Sequence, residues 1–152
     1  MTGWRVVAER YAAGAFDGEG ARRSGGRFNS PGTAVVYAAD SLALALLEVA
    51  VHLPSYRALF GRLAFRIDVP DALVRVVDEA ELPANWRATP PSRSTQQFGD
   101  AWVREARTVG LLLPSVLLPH HTNLLLNPAH PDWPEVAVGA PERVPIDGRL
   151  VK

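Results

Sequence analysis

Two residues ask for a chemical explanation before anything else in this chain. Glu48 stands in the run from Leu42 to Val51, which is otherwise made only of Ala, Leu and Val. A carboxylate in such company forfeits on the order of several kcal/mol of hydration unless it is paired, neutralised or open to a cleft. It is therefore either a functional anion, or a structural ion pair with one of the arginines, or a surface position on a helix less buried than it looks. Arg27 follows Gly25 and Gly26 and precedes the turn formers Asn29, Ser30, Pro31 and Gly32. A backbone of that kind can approach a ligand closely, and a guanidinium there could hold phosphate or ribose oxygens bidentately. The plainer reading is a hairpin tip with a solvated arginine. The surrounding "GEGARRSGG" has no Gly-Lys-Ser/Thr and is not a phosphate-binding P-loop. It does not match a dinucleotide Gly-x-Gly-x-x-Gly site at a helix start either.

Three further residues could join them. Tyr37 lies between Arg27 and Glu48 in sequence, so a strand–turn–helix unit could bring all three to one cleft. Its ring could stack on a planar heterocycle or could simply belong to the core. Ser115 follows Pro114 after an apolar run, without the Gly-x-Ser-x-Gly elbow of a serine hydrolase. It could give a hydroxyl to a ligand or close a local turn. Asn123, Asn127 and His130 sit in "TNLLLNPAHPDW", where Asn-Pro and His-Pro also favour turns. The histidines fail a metal test. His120 and His121 are adjacent and on a strand would face opposite ways, and His52 has no second histidine four residues away. With no cysteine in the chain, no zinc site is expected.

The elements that must position these residues follow from their patterns. "WRVVAE" (Trp4 to Glu9) and "AVVYAA" (Ala34 to Ala39) read as strands, with a glycine-rich loop between them that holds no regular structure for long. Asp40 or Ser41 caps a helix from about Leu42 to His52, ended by Pro54. On it Ser41, Ala45, Glu48 and His52 share one narrow face. "GRLAFRIDV" and "ALVRVVD" are strand candidates, and "ELPANWRATPPSRST" is a proline-rich connection. "STQQFGDAWVREART" predicts an amphipathic helix with Phe98, Trp102 and Ala106 inward. "VGLLLPS" and "TNLLLNP" predict buried strands, and the tail beyond Glu135 a last strand or hairpin. Strands and helices mix without strict alternation, so an α+β fold is expected rather than a doubly wound sheet.

The totals set the outer bounds. A length of 152 residues suits a single domain over 1–152 with its own core. Lys+Arg and Asp+Glu both total 16, so the formal charge is zero and a dedicated nucleic-acid binder is not expected. Lys152 is the one lysine, so any anion site must use arginine. The absence of cysteine excludes disulfides and thiolate chemistry and fits a reducing cytosol. No signal-peptide plan opens the chain and no apolar run could span a bilayer, so the expected location is cytoplasmic.

Taken together, "GGRFN", "VVYAADSLALALLEVAVH", "LLLPSVLLP" and "NLLLNPAHPDW" resemble, in order and spacing, the RES domain family, the toxins of RES–Xre toxin–antitoxin systems. The resemblance runs from about Trp4 to Val138 and departs at two places. Phe28 stands where a tryptophan is commoner, and "PHHTN" where an acidic residue often precedes the asparagine. The resemblance implies an ADP-ribosyltransferase-like mixed β-sheet core with flanking helices. It implies an enzyme that depletes NAD+ by cleaving the nicotinamide–ribose bond, with water or inorganic phosphate as acceptor, and no cofactor or metal. Catalysis would then fall to Arg27, Glu48 and Ser115, and NAD+ binding to these with Tyr37 and Asn123. The implied partner is an Xre-like helix-turn-helix antitoxin, encoded alongside, whose C-terminal segment blocks the site. Protein mono-ADP-ribosylation from the same site is the alternative, and a non-enzymatic nucleotide-binding module a third.

Overall fold

The computed structural model describes residues 1–151. Lys152, the last residue of the expected 1–152 domain, lies outside them. The chain is organised on an eight-stranded mixed sheet of β1 (Thr2–Ala8), β2 (Val36–Ala39), β3 (Arg62–Asp68), β4 (Val74–Val76), β5 (Gly110–Pro114), β6 (Thr122–Leu126), β7 (Ala137–Val138) and β8 (Glu142–Arg143). The order is β4-β5-β6-β2-β1-β3-β7, and β8 also pairs with β3. Among the described residues only β4 and β5 run parallel; every other pair is antiparallel. With three α-helices, α1 (Glu19–Ser24), α2 (Leu42–Ala50) and α3 (Arg93–Glu105), the fold is α+β, as the mixed strand and helix patterns predict.

Register decides which residues meet. Tyr37 pairs with Leu125, and Ala39 with Asn123. On the other side of β6, Asn123 pairs with Leu113 and Leu125 with Leu111. Directly paired residues share a face, and so do residues two apart along a strand. Tyr37, Ala39, Asn123 and Leu113 therefore lie on one face of the sheet. Both long helices cover that face. Trp102 of α3 packs with Leu111, Leu113 and Leu125. Leu44 and Ala45 of α2 pack with Ala39, Val6 and Ala64. The opposite face buries Val36, Ala38, Ile67, Leu124 and Leu126 beneath the chain around Trp133 and Val136.

The helix starts follow from side-chain caps. Ser41 Oγ accepts from Leu44 N at 3.2 Å and opens α2. Ser92 Oγ accepts from Thr95 N at 3.3 Å and opens α3. Each such cap contributes about 1 kcal/mol by satisfying an otherwise orphaned N–H. Two expectations are corrected here. The glycine-rich loop is not irregular throughout, because it carries α1, clamped by Glu19 bonds to Arg22 Nε at 2.6 Å and Arg23 Nε at 2.8 Å. These pairs at i+3 and i+4 offset the poor helix propensity of Gly20. Ala106 does not face inward: it is exposed and ends α3 in the left-handed region at φ 45°.

Candidate active site

The glycine-flanked loop, α2 and the paired ends of β2, β5 and β6 converge on the shared sheet face. Glu48 is half-buried on α2, and its Oε1 accepts a hydrogen bond from Asn123 Nδ2 at 2.8 Å. Among the described residues no cation comes within 4.0 Å of its carboxylate, so the ion-pair reading of Glu48 falls away. Asn123 is fixed by the β6 register, with Ala39 and Leu113 on either side. Its Oδ1 is buried without a donor among the described residues. An acceptor so placed can take a hydrogen bond from a ligand or a water.

Tyr37 joins the loop to the sheet. Its hydroxyl accepts from Phe28 N at 3.0 Å and donates to Asn29 Oδ1 at 2.8 Å. Burial, the largest influence, pushes the phenol well above its ordinary pKa and keeps it neutral, while the Phe28 N–H and the Arg27 charge work the other way. Its ring packs partly buried against the cluster of Phe28, Trp86 and Leu125. Asn29 is fully buried and donates from Nδ2 to Ala21 O, Ser30 O and Thr33 O. The tight turn needs its glycines. Gly25 adopts φ 70°, and a Cβ on Gly26 would stand 2.5 Å from the Tyr37 hydroxyl.

Arg27 is half-buried, and its Nη1 donates to Trp86 O and Ala88 O, both at 2.8 Å. The proline-rich connection thus supplies two carbonyls that hold one edge of the guanidinium. Its Nη2 makes only a long 3.5 Å contact to Thr89 Oγ1, so this edge keeps donor capacity for a ligand. Burial draws its pKa down, and the negative charge of Glu48 opposes that shift. Arg27 and Glu48 are therefore electrostatically coupled without being paired.

Helix α3 braces the loop with three residues that the sequence reading left unassigned. Gln96 Nε2 donates to Gly26 O at 3.0 Å, and Asp100 Oδ1 accepts from Ser30 N at 2.9 Å. Between them Gly99 lets the Phe28 carbonyl come so close that a Cβ would sit 1.8 Å from its oxygen. Their 96/99/100 spacing on an amphipathic helix was a visible signal, since such residues share one face.

Ser115 is buried, and its Oγ accepts from Leu117 N at 3.1 Å and Leu118 N at 3.2 Å. Its own N–H bonds His121 O at 2.9 Å, which extends the β5–β6 ladder to Ser115. The serine thus closes the local turn, while its hydroxyl proton goes to no acceptor among the described residues. Asp40 anchors the start of β6, accepting from Thr122 N at 2.7 Å and Thr122 Oγ1 at 3.1 Å, with His121 Nδ1 at 3.2 Å. Burial acts to raise the Asp40 pKa, but those contacts and Ser41 outweigh it and hold the carboxyl below its ordinary value. Asn127 and His130 are structural turn residues. His130 Nε2 meets Ala106 O at 2.9 Å, and its Nδ1 accepts from Asp132 N at 3.0 Å. Among the described residues no group of three or more His, Cys, Asp or Glu side chains could hold a metal ion. None of their helices is long and apolar enough to cross a membrane.

A carboxylate with no cation partner among the described residues, a clamped arginine and a neutral tyrosine suit a ligand with an anionic end and an electron-poor centre. The comparisons with known proteins point to one family. The RES domain profile matches residues 2–147. A "Prs ADP-ribosylating toxin" of Sphingobium sp. strain YBL2 is 42% identical, over 98% of this chain and 96% of that protein. A "Toxin Res" of Yersinia enterocolitica is 39% identical over 84% of each chain. A protein in the crystal structure of the M. tuberculosis MbcT–MbcA toxin–antitoxin complex shares the fold, with a TM-score of 0.72 at 23% identity, over 94% of this chain and 83% of that one.

Proposed function

This chain belongs to the RES domain family, and from that premise we propose that it is the toxin of a toxin–antitoxin pair and consumes NAD+. The observation that carries the reading is Glu48: a carboxylate on a capped helix, oriented by Asn123, near the Arg27 charge and without a cation within 4.0 Å among the described residues. Such an anion suits a reaction in which positive charge develops on a ribose.

In the proposed step the C1′–N bond to nicotinamide breaks, and its electron pair stays on the departing nicotinamide nitrogen. The ribose becomes oxocarbenium-like, and Glu48 stabilises it while accepting hydrogen bonds from the ribose hydroxyls. Arg27 holds a phosphate or ribose oxygen with its free guanidinium edge, and Tyr37 stacks on nicotinamide. Ser115 donates its unspent proton to the same end of the ligand, and Asn123 positions the carboxylate. Inorganic phosphate or water then bonds to that same ribose carbon and loses a proton to solvent, giving ADP-ribose 1″-phosphate or ADP-ribose. No residue here needs a metal or cofactor for that step. A cytoplasmic Xre-like helix-turn-helix antitoxin, assembling with the toxin and covering the site with its C-terminal segment, completes the proposal.

A second reading is favoured by the name of the Sphingobium relative: transfer of ADP-ribose to a protein. One experiment separates the two. Purified protein is given NAD+ with and without phosphate, and separately NAD+ labelled in the adenylate with cell lysate. Free nicotinamide with ADP-ribose or its phosphate supports NAD+ breakdown. Labelled protein bands without bulk NAD+ loss support transfer, and neither product overturns both.

A further inference from the structure

Away from the proposed site, the C-terminal end of β1 and the start of β3 enclose an open hollow of about 510 Å³. It is lined by Ala8, Glu9, Arg10, Phe60, Gly61 and Arg62, with Ala58 at its edge. None of these residues touches Arg27, Tyr37, Glu48, Ser115 or Asn123 in the contacts described above. The hollow is cationic in a chain whose formal charge is zero. Its one carboxylate, Glu9, is already taken by Arg143 Nη2 at 2.8 Å. Arg10 and Arg62 have no carboxylate within 4.0 Å among the described residues, and burial first and the Arg10 charge second draw the Arg62 pKa down.

Two like charges line one hollow with no counter-charge between them, which leaves the hollow open to an anionic group from outside. Arg62 uses only Nε, which donates to Ala58 O at 2.9 Å, and its two terminal nitrogens have no acceptor among the described residues. Arg10 instead lies over the Tyr11 ring, 4.9 Å from its centroid. Tyr11 is 60% exposed and Phe60 is 49% exposed. Aromatic rings and arginines are the side chains enriched at the energetic centres of protein interfaces. The hollow opens widely to solvent, so it would not enclose a small anion as a ligand pocket does.

We propose that this Arg10/Arg62 hollow is a docking surface for an acidic segment of a partner protein, one with a carboxylate beside an apolar side chain. The carboxylate bridges the free guanidinium edges of Arg10 and Arg62, and the apolar neighbour rests on Phe60 and Tyr11. The pairing supplies the missing counter-charge, so binding weakens as salt rises.

The test uses the full chain and a fluorescent peptide of alternating Glu and Leu, with a Gln/Leu peptide of equal length as control. Anisotropy titrations are run at low and physiological salt on the parent, on R10E, and on R62Q with R10Q. Saturable binding of the Glu peptide, at least tenfold stronger than the Gln peptide and lost at least tenfold in both variants, is the expected result. NAD+ turnover and thermal midpoint in the same preparations report that the variants are folded. Equal binding of the two peptides overturns the proposal, as does binding that survives both variants. A preference for inorganic phosphate or for single-stranded RNA as competitor, over the free Glu peptide, overturns it equally.

Discussion

Glu48 and Asn123 meet across 75 residues of sequence, with Asn123 Nδ2 donating to Glu48 Oε1 at 2.8 Å. The bond links the second turn of α2 to the start of β6, and it is the only hydrogen bond that the Glu48 side chain makes among the described residues. A neutral donor orients a carboxylate without cancelling its charge, whereas an arginine in that place would do both.

Removing the donor should therefore cost chemistry more than stability. Asn123→Ala is expected to lower the kcat for NAD+ loss by about tenfold or more, in line with the loss of about 1.5–3 kcal/mol from a bond to a charged group. The thermal midpoint should move by only a few degrees, because the buried Oδ1 that lacks a donor is removed in the same change. Steady-state kinetics with circular dichroism melting checks both halves.

Gly99 is the tightest steric contact beneath the arginine loop. Gly99→Ala puts a Cβ 1.8 Å from the Phe28 carbonyl oxygen, which has to move. The expected cost is about 1–3 kcal/mol of stability, together with a raised KM for NAD+ as the Arg27 loop shifts. Gly20, in α1 with nothing within 4 Å of its would-be Cβ, is the opposite case. Gly20→Ala should stabilise by about 0.5–1 kcal/mol, and urea unfolding of the two variants compares them directly.

Arg27 should act mainly in binding. Arg27→Ala is expected to raise KM at least tenfold with a smaller change in kcat, because the guanidinium is placed to hold ligand oxygens in ground and transition states alike. Arg27→Lys should recover little, since a single ammonium nitrogen held by Trp86 O and Ala88 O has no second nitrogen to present to a ligand as the planar guanidinium does. An unchanged KM with a collapsed kcat would move the role of Arg27 to the transition state.

Asp40 gives the fold an acid-sensitive joint. Its pKa lies below the ordinary value in the folded chain. In the window below that ordinary value the unfolded chain binds the proton more readily than the folded one. Asp40 therefore adds stability above about pH 4, and that contribution is lost as pH falls through the folded pKa. Asp40→Asn should flatten the fall in stability over that window, and chemical denaturation between pH 5 and pH 3 measures the slope.

Much of this was legible in the residues. The apolar run around Glu48 marked α2, Ser41 marked its start, and "LLLPS" with "NLLLNP" marked the two strands that flank the site. Periodicity and capping are local, so they show in a local reading. What escaped depended on distant partners. Nothing near Arg27 announces that its guanidinium is held by carbonyls 59 and 61 residues away. Helix α1 was hidden by its glycines, because the Glu19–arginine pairs that hold it weigh little in propensity. Gln96, Gly99 and Asp100 looked like an ordinary polar stripe until the Phe28 backbone was found against it. Ala106 read as inward by period, but the helix ends there and the left-handed residue turns the chain outward.

If the Glu48 charge carries the chemistry, Glu48→Gln should abolish most of it. The change keeps size and hydrogen-bonding reach and removes only the anion. Nicotinamide release from NAD+ should be measured for the parent and the variant, with and without inorganic phosphate, at matched protein concentration and after confirming equal thermal midpoints. The expected loss is at least a hundredfold in kcat, equivalent to about 2.7 kcal/mol of transition-state stabilisation, with NAD+ still bound. Release within a few-fold of the parent would contradict that role for the Glu48 charge.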